Sequence, residues 1–156
     1  MKKSNVRRLT VTAMLSAAAF VLMLLDFSVP LMPAFIKMDI SDLPALLATF
    51  AFGPVYGVAV CLVKNLIHLP ITTTGGVGEL SNFLLGAVFT FTAGLIYKLN
   101  KTRRSAIIGS ALGALAMAIL SLPINYFITY PFYQNFMPLE EIIGAYQAIN
   151  PNVNSL

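Results

Sequence analysis

Charge is what this chain has least of. Only 10 % of its 156 residues are charged and 58 % are hydrophobic. Soluble domains carry about 25 % charge, so lipid must be the solvent for much of this surface. There is one histidine, His68, which excludes HExxH and other multi-histidine metal sites. There is one cysteine, Cys61, so no internal disulfide and no CxxC site can form. It lies in an apolar run and reads as packing. No GxSxG occurs. Gly76-Val-Gly78 lacks the third glycine of a dinucleotide fingerprint and the Gly-Lys-Ser/Thr of a phosphate loop, so the chain is not expected to hydrolyse ATP. The net charge of +4 comes from basic residues that mostly sit at span ends. They form no continuous basic face, and no nucleic-acid partner is expected. No metal and no cofactor is expected either.

Apolar runs dominate what is present. Leu9–Phe27 reads as a first span, long enough to cross, although the basic start and Ala17-Ala18-Ala19 also resemble a signal peptide. Pro30 and Pro33 mark a loop over Val29–Asp42. Leu43–Leu69 is apolar except for Lys64 and Asn65 and is interrupted at Gly53-Pro54. Leu80–Tyr97 and Ala106–Ile128 follow. Pro131–Leu156 is polar and cannot span. The expected fold class is all-α, a polytopic membrane helical bundle.

Charge decides whether Leu43–Leu69 is one helix or two. Lys2, Lys3, Arg7 and Arg8 precede the first span, and Lys98, Lys101, Arg103 and Arg104 follow Leu80–Tyr97. Both clusters belong on the cytoplasmic side, which requires an even number of crossings between them. A break at Gly53-Pro54 provides it and gives five spans, with the N-terminus cytoplasmic. All the acids (Asp26, Asp39, Asp42, Glu79, Glu140, Glu141) then fall outside. The second helix, Leu43–Phe52, rises only about 15 Å against a core of about 30 Å. It must start near Ile40, thin the bilayer, or border a polar pocket. The pocket is favoured, because Lys37, Asp39, Ser41 and Asp42 precede it.

Lys64–Asn82 is a polar, Gly-rich insert between hydrocarbon runs. Such backbone belongs where it lines a protected cavity or its mouth. Thr72, Thr73 and Thr74 offer hydroxyls, and Gly75, Gly76 and Gly78 expose backbone at close approach; a plain tight loop is the alternative. Glu79 and Asn82 lie one turn apart, as do Asn65 and His68. Lys64 either snorkels or faces the cavity, and His68 either ligates or sits at the interface. Asn125, just after Pro123, is costly to leave unpaired. Phe35, Tyr126 and Tyr130 share that depth, as stacking surfaces or as an aromatic belt. Small residues recur at four-residue spacing: Ala13 and Ala17 in the first span, and Gly109, Gly113, Ala106, Ser110, Ala114 and Ala118 in the last. They fit close helix packing or, in the first span, a docking face.

Four stretches in this order resemble a known family: Phe35-Ile-Lys-Met-Asp-Ile-Ser-Asp-Leu-Pro-Ala-Leu-Leu, Ala51-Phe-Gly-Pro-Val-Tyr-Gly-Val, Lys64-Asn-Leu-Ile-His, and Thr72-Thr-Thr-Gly-Gly-Val-Gly-Glu-Leu-Ser-Asn-Phe. Across residues 7–130 the chain is similar to the substrate-binding S component of energy-coupling factor (ECF) vitamin importers, most closely its riboflavin-specific members. The resemblance implies a multi-pass protein of the bacterial plasma membrane. It would bind riboflavin from outside and associate with a transmembrane coupling protein and two ATPases. Carried over by position, Thr73–Glu79, the first loop from Pro33 to Lys37, and Asn125 would contact the flavin, and Ala13 and Ala17 would dock the coupling protein. The family has six helices, and nothing after Pro131 matches the sixth. Residues 1–130 are expected to form the membrane domain, and 131–156 an extracytoplasmic loop or truncated tail. A five-span chain should leave its cavity open on one side and bind flavin weakly or not at all. Two other readings stay open: an S component for another flat vitamin, and a membrane enzyme using Glu79 and His68.

Overall fold

The computed structural model describes residues 3–25, 27–28, 37–72, 75–133 and 147. Helix α1 spans Lys3–Met23. A two-residue ladder follows, β1 (Phe27–Ser28) antiparallel to β2 (Lys37–Met38), with Phe27 opposite Met38 and Ser28 opposite Lys37. Next come α2 (Asp42–Phe52) and α3 (Pro54–His68), then a 3₁₀ turn at Leu69–Ile71. Helices α4 (Val77–Leu99) and α5 (Arg103–Ile124) are joined by a short connection. A π turn at Asn125–Thr129 leads into the four-residue α6 (Tyr130–Tyr133).

The all-α bundle expected from the sequence is the fold that forms. The long apolar run breaks at Gly53, whose φ of 114° suits glycine, and Pro54 then occupies the first position of α3. Among the described residues four helices are long and apolar enough to cross a membrane; α2, with 11 residues, is the shorter fifth. It begins at Asp42, not near Ile40. The first helix starts six residues before the expected Leu9 and ends at Met23, and Phe27 lies in a strand instead. Hydropathy locates the hydrocarbon zone, whereas Lys3–Arg8 are polar apart from Val6 and contain no helix breaker, so the helix runs on through them.

Helix α1 packs on α2 and α3, α2 on α3 and α4, α3 on α4, and α4 on α5. This leaves α1 and α5 as the flanks. Small side chains turn inward and large ones outward. The central cluster is Ala19, Ala45, Ala48, Val60 and Cys61, whereas Val55 is 70 % and Leu122 74 % exposed. That is the arrangement for a lipid solvent, where close backbone approach replaces the burial of large apolar groups. Buried hydroxyls are satisfied within their own helices: Thr12 Oγ1 donates to the Arg8 carbonyl at 2.8 Å, Ser16 Oγ to Thr12 at 2.9 Å and Thr90 Oγ1 to Gly86 at 2.8 Å.

Of the small residues of α5, Gly109 and Gly113 are used for packing within the chain, whereas Ala114 and Ala118 are exposed. A Cβ at Gly109 would stand 2.8 Å from the Ala93 carbonyl oxygen, and one at Gly113 would stand 2.7 Å from that of Phe89. The first-helix pair behaves differently, since Ala13 and Ala17 lie on the exposed face of α1. Replacing Gly109 or Gly113 by Ala should therefore wedge α5 off α4 at a cost of about 1–3 kcal/mol. This would appear as a lowered unfolding midpoint in detergent. Ala111→Ile, on the exposed face, should leave the midpoint unchanged.

Candidate functional site

Chain direction brings the end of α1, the start of α2, the end of α3, the start of α4 and the end of α5 to one end of the bundle. The last turns of α3 are the polar centre of that end. Lys64, Asn65 and His68 all lie there, and each reaches a neighbouring helix.

Lys64 is fully buried. Its Nζ donates to Asp42 Oδ1 at 2.7 Å and to the Ser41 hydroxyl. Ser41, also fully buried, donates from its backbone N–H to Asp39 Oδ1 at 2.7 Å, and its hydroxyl bonds the same oxygen. Asn65 Nδ2 donates to the Cys61 carbonyl at 2.8 Å and to Asn82 Oδ1 at 3.2 Å. Only the amide nitrogen can donate to that carbonyl, which fixes the amide's orientation. Asn65 Oδ1 is then a buried acceptor without a partner among the described residues. Thr49 Oγ1 is the other such atom; it lies against Gly57, with the Thr49 methyl against Gly94.

His68 Nδ1 bonds Glu79 Oε1 at 2.7 Å, and Phe20 meets its ring edge-on with centroids 6.3 Å apart. Thr72 Oγ1 donates to Glu79 Oε2 at 2.9 Å. The Gly76 N–H donates to Thr72 Oγ1 at 3.3 Å. Gly75 and Gly76 carry φ values of 63° and 89°, so this turn uses backbone that side chains disfavour. The buried Glu79 carboxylate thus ties the glycine turn to the end of α3, with both oxygens engaged.

Asn125 lies on the π turn after Pro123. Proline has no N–H and its ring crowds the carbonyl four residues back; the widened turn relieves the ladder there, and π segments recur at functional sites. The π turn packs on α4. The Asn125 side chain has no hydrogen bond among the described residues. With Leu122, Pro123, Tyr126 and Phe127 it lines a wide-open surface cleft of about 490 Å³ formed by this one segment. The Tyr126 and Phe127 rings stack edge-to-face, centroids 5.0 Å apart, and both are largely exposed.

The structure therefore sets Lys64, Asn65 and His68 in three separate hydrogen-bonded groups on the last turns of α3: Lys64 with Asp42 and Ser41, Asn65 with Asn82, and His68 with Glu79, Thr72 and the turn at Gly75 and Gly76. Asn125 and Tyr126 lie on the π turn after α5 and bond to none of them among the described residues. Pro33, Phe35, Thr73 and Thr74 lie outside the described residues. Lys37 is placed only by its backbone in β2. The partners of Lys64 escaped sequence reasoning as partners. The usable signal was present: a lysine inside an apolar run needs a carboxylate, and Asp39 and Asp42 lie just before and at the start of the preceding helix, at the same end.

Comparison with known proteins places the chain among transport components. Residues 7–154 match the family described as "ECF transporter, substrate-specific component". Riboflavin transporter RibU of Staphylococcus aureus (strain TCH60) is 41 % identical over 143 residues, which are 92 % of this chain and 76 % of that protein. Riboflavin transporter FmnP of Bacillus subtilis (strain 168) is 36 % identical over 136 residues, covering 85 % and 72 %. A solved S component of a bacterial ECF transporter superposes with a TM-score of 0.78 at 43 % identity, over 83 % of this chain and 77 % of that one.

Glu79→Ala should release both His68 and Thr72. Hydrogen bonds to charged groups are worth about 1.5–3 kcal/mol, so the expected loss is about 2–3 kcal/mol. It should appear as faster protease cleavage between α3 and α4. Glu79→Gln, which keeps an acceptor for one partner, should be intermediate.

Proposed function

The chain belongs to the substrate-specific components of ECF transporters, and on that premise we propose that it binds riboflavin at the polar end of its bundle. It is a transport component and not an enzyme. The single observation that carries the site is the convergence of polar groups there. Among the described residues, the Asn65 amide oxygen on α3 is buried without a partner, and the Asn125 amide, on a π turn packed against α4, makes no hydrogen bond. A flat, polar-edged ring fits such a place, with ring burial supplying affinity and convergent hydrogen bonds supplying orientation. The likeness to riboflavin transporters over most of the chain supports this choice of vitamin.

We assign the polar end to the extracytoplasmic side. Arg7 and Arg8 at the start of α1, and Lys98, Lys101, Arg103 and Arg104 around the α4–α5 connection, gather at the opposite end. Basic clusters of that kind face the cytoplasm. The membrane domain is taken as residues 1–130, with 131–156 as an outer loop or tail. Energy for import comes from a partner, in this family an ECF transmembrane protein with ATPase subunits. The exposed Ala13 and Ala17 support α1 as the face that meets the transmembrane partner.

Titrating riboflavin with the purified chain should give saturable but weak fluorescence quenching, and a preparation made with added riboflavin should carry flavin absorbance. Absence of both, or absorbance of a different aromatic vitamin, would overturn the riboflavin assignment. Asn125→Ala should weaken binding about tenfold, or about 1.4 kcal/mol. Ala13→Leu with Ala17→Leu should leave flavin binding intact and reduce co-purification with the coupling protein.

A further inference from the structure

We infer that Lys64 is a positioning residue, whose buried ammonium fixes the β2–α2 segment against α3 and does not contact the vitamin. A functional consequence for binding rests on the riboflavin reading above; the structural claim stands apart from it.

The side chain is committed to the protein. A lysine four residues from the end of α3 could reach the polar edge of the membrane by snorkelling. Instead Lys64 is 0 % exposed, and its Nζ is bonded to two residues of the preceding helix start, Asp42 and Ser41. The direction of donation is consistent along the relay. The ammonium can only donate, so Ser41 Oγ accepts from it and spends its own hydrogen on Asp39 Oδ1. The Ser41 backbone N–H adds a second bond to the same carboxylate oxygen. One positive charge thus holds Asp42 directly and Asp39 through a serine.

Asp39 directly follows β2. A ladder of two residues per strand is marginal when isolated, so the β1–β2 pairing needs an anchor, and the Asp39–Ser41–Lys64 relay provides it. Helix α4 closes the site from another side. A Cβ at Gly86 would stand 3.0 Å from Asp42 Oδ1 and 3.1 Å from Cys61 Sγ, so the helix backbone lies against the ion pair, where a larger residue would crowd it.

The neighbouring residues complete the device. Asn65 bonds Asn82 of α4, and His68, one turn on from Lys64, bonds Glu79 and through it Thr72. The last turns of α3 therefore hold the β2–α2 segment with Lys64 and the glycine turn with His68. Both loops at the polar end are referenced to one rigid helix end. A vitamin bound between them would dissociate faster if either tie were cut.

Hydrogen exchange on the ligand-free protein tests the claim. Lys64→Met should raise exchange over residues 37–45 at least tenfold and leave residues 93–115 unchanged. Ser41→Ala cuts only the relay and should raise exchange at β2 alone, which keeps the test available if Lys64→Met fails to fold. In flavin binding, Lys64→Met and Asp42→Asn should each speed dissociation about tenfold with little change in association. The double variant should be no worse than either single one, because both break the same pair. Unchanged exchange over 37–45 in Lys64→Met and in Ser41→Ala overturns the inference. So does a flavin-binding loss in Lys64→Met that neither Asp42→Asn nor Ser41→Ala shares, which would mark direct contact. If the unaltered chain binds no riboflavin, the vitamin reading falls while the exchange measurements still decide the role of Lys64.

Discussion

Lys64 and Asn65 are buried in the last turns of α3, and among the described residues every buried side-chain polar atom there except Asn65 Oδ1 has a partner inside the protein. This constraint organises the functional end. A lone ammonium in such surroundings is too costly to keep, so Lys64 draws Asp42 and Ser41 onto α3. The same logic seats Glu79 between His68 and Thr72 and pairs Asn65 with Asn82. The loops at this end therefore take their positions from electrostatics in a low dielectric and not from apolar packing.

Packing elsewhere follows a complementary rule. Lipid already solvates the large apolar side chains, so the helices gain nothing by hiding them. They gain by approaching closely, which alanine, glycine and threonine permit. Gly57, Gly94, Gly109 and Gly113 each leave a gap that a neighbouring helix fills. The result is a rigid frame whose tolerance for added volume is low, on which a small number of polar side chains can be held at fixed separation. A binding protein that must grip a flat, polar-edged molecule needs such a frame, because preorganisation reduces the entropy lost on binding.

Some of this was readable from residue order. The even-crossing requirement set by the basic clusters located the break at Gly53-Pro54, and the φ of Gly53 shows why the chain can turn there. The expense of an amide in an apolar run singled out Asn125. The polar loop before α2 was expected to border a pocket; the structure engages its Asp39 with Ser41, and Ser41 and Asp42 with Lys64. The ends of α1 were misplaced, because hydropathy reports where lipid is and helix propensity decides where the helix stops. The π turn was also invisible: Pro123 announces a disturbed ladder but not whether it kinks, breaks or widens.

Composition and spacing determined by themselves that this is a multi-helix membrane protein with a polar insert, because backbone in hydrocarbon has so few allowed forms. They also determined which residue types are too costly to be idle. Only the tertiary structure decided who answers whom. Lys64 and Asp42 stand 22 positions apart in the chain, and Asp39, Glu79 and Asp42 were equally plausible acceptors until packing set α2 against α3 and α4 against both. Pairing is a property of distance in a medium of low dielectric, and sequence records separation along the chain only.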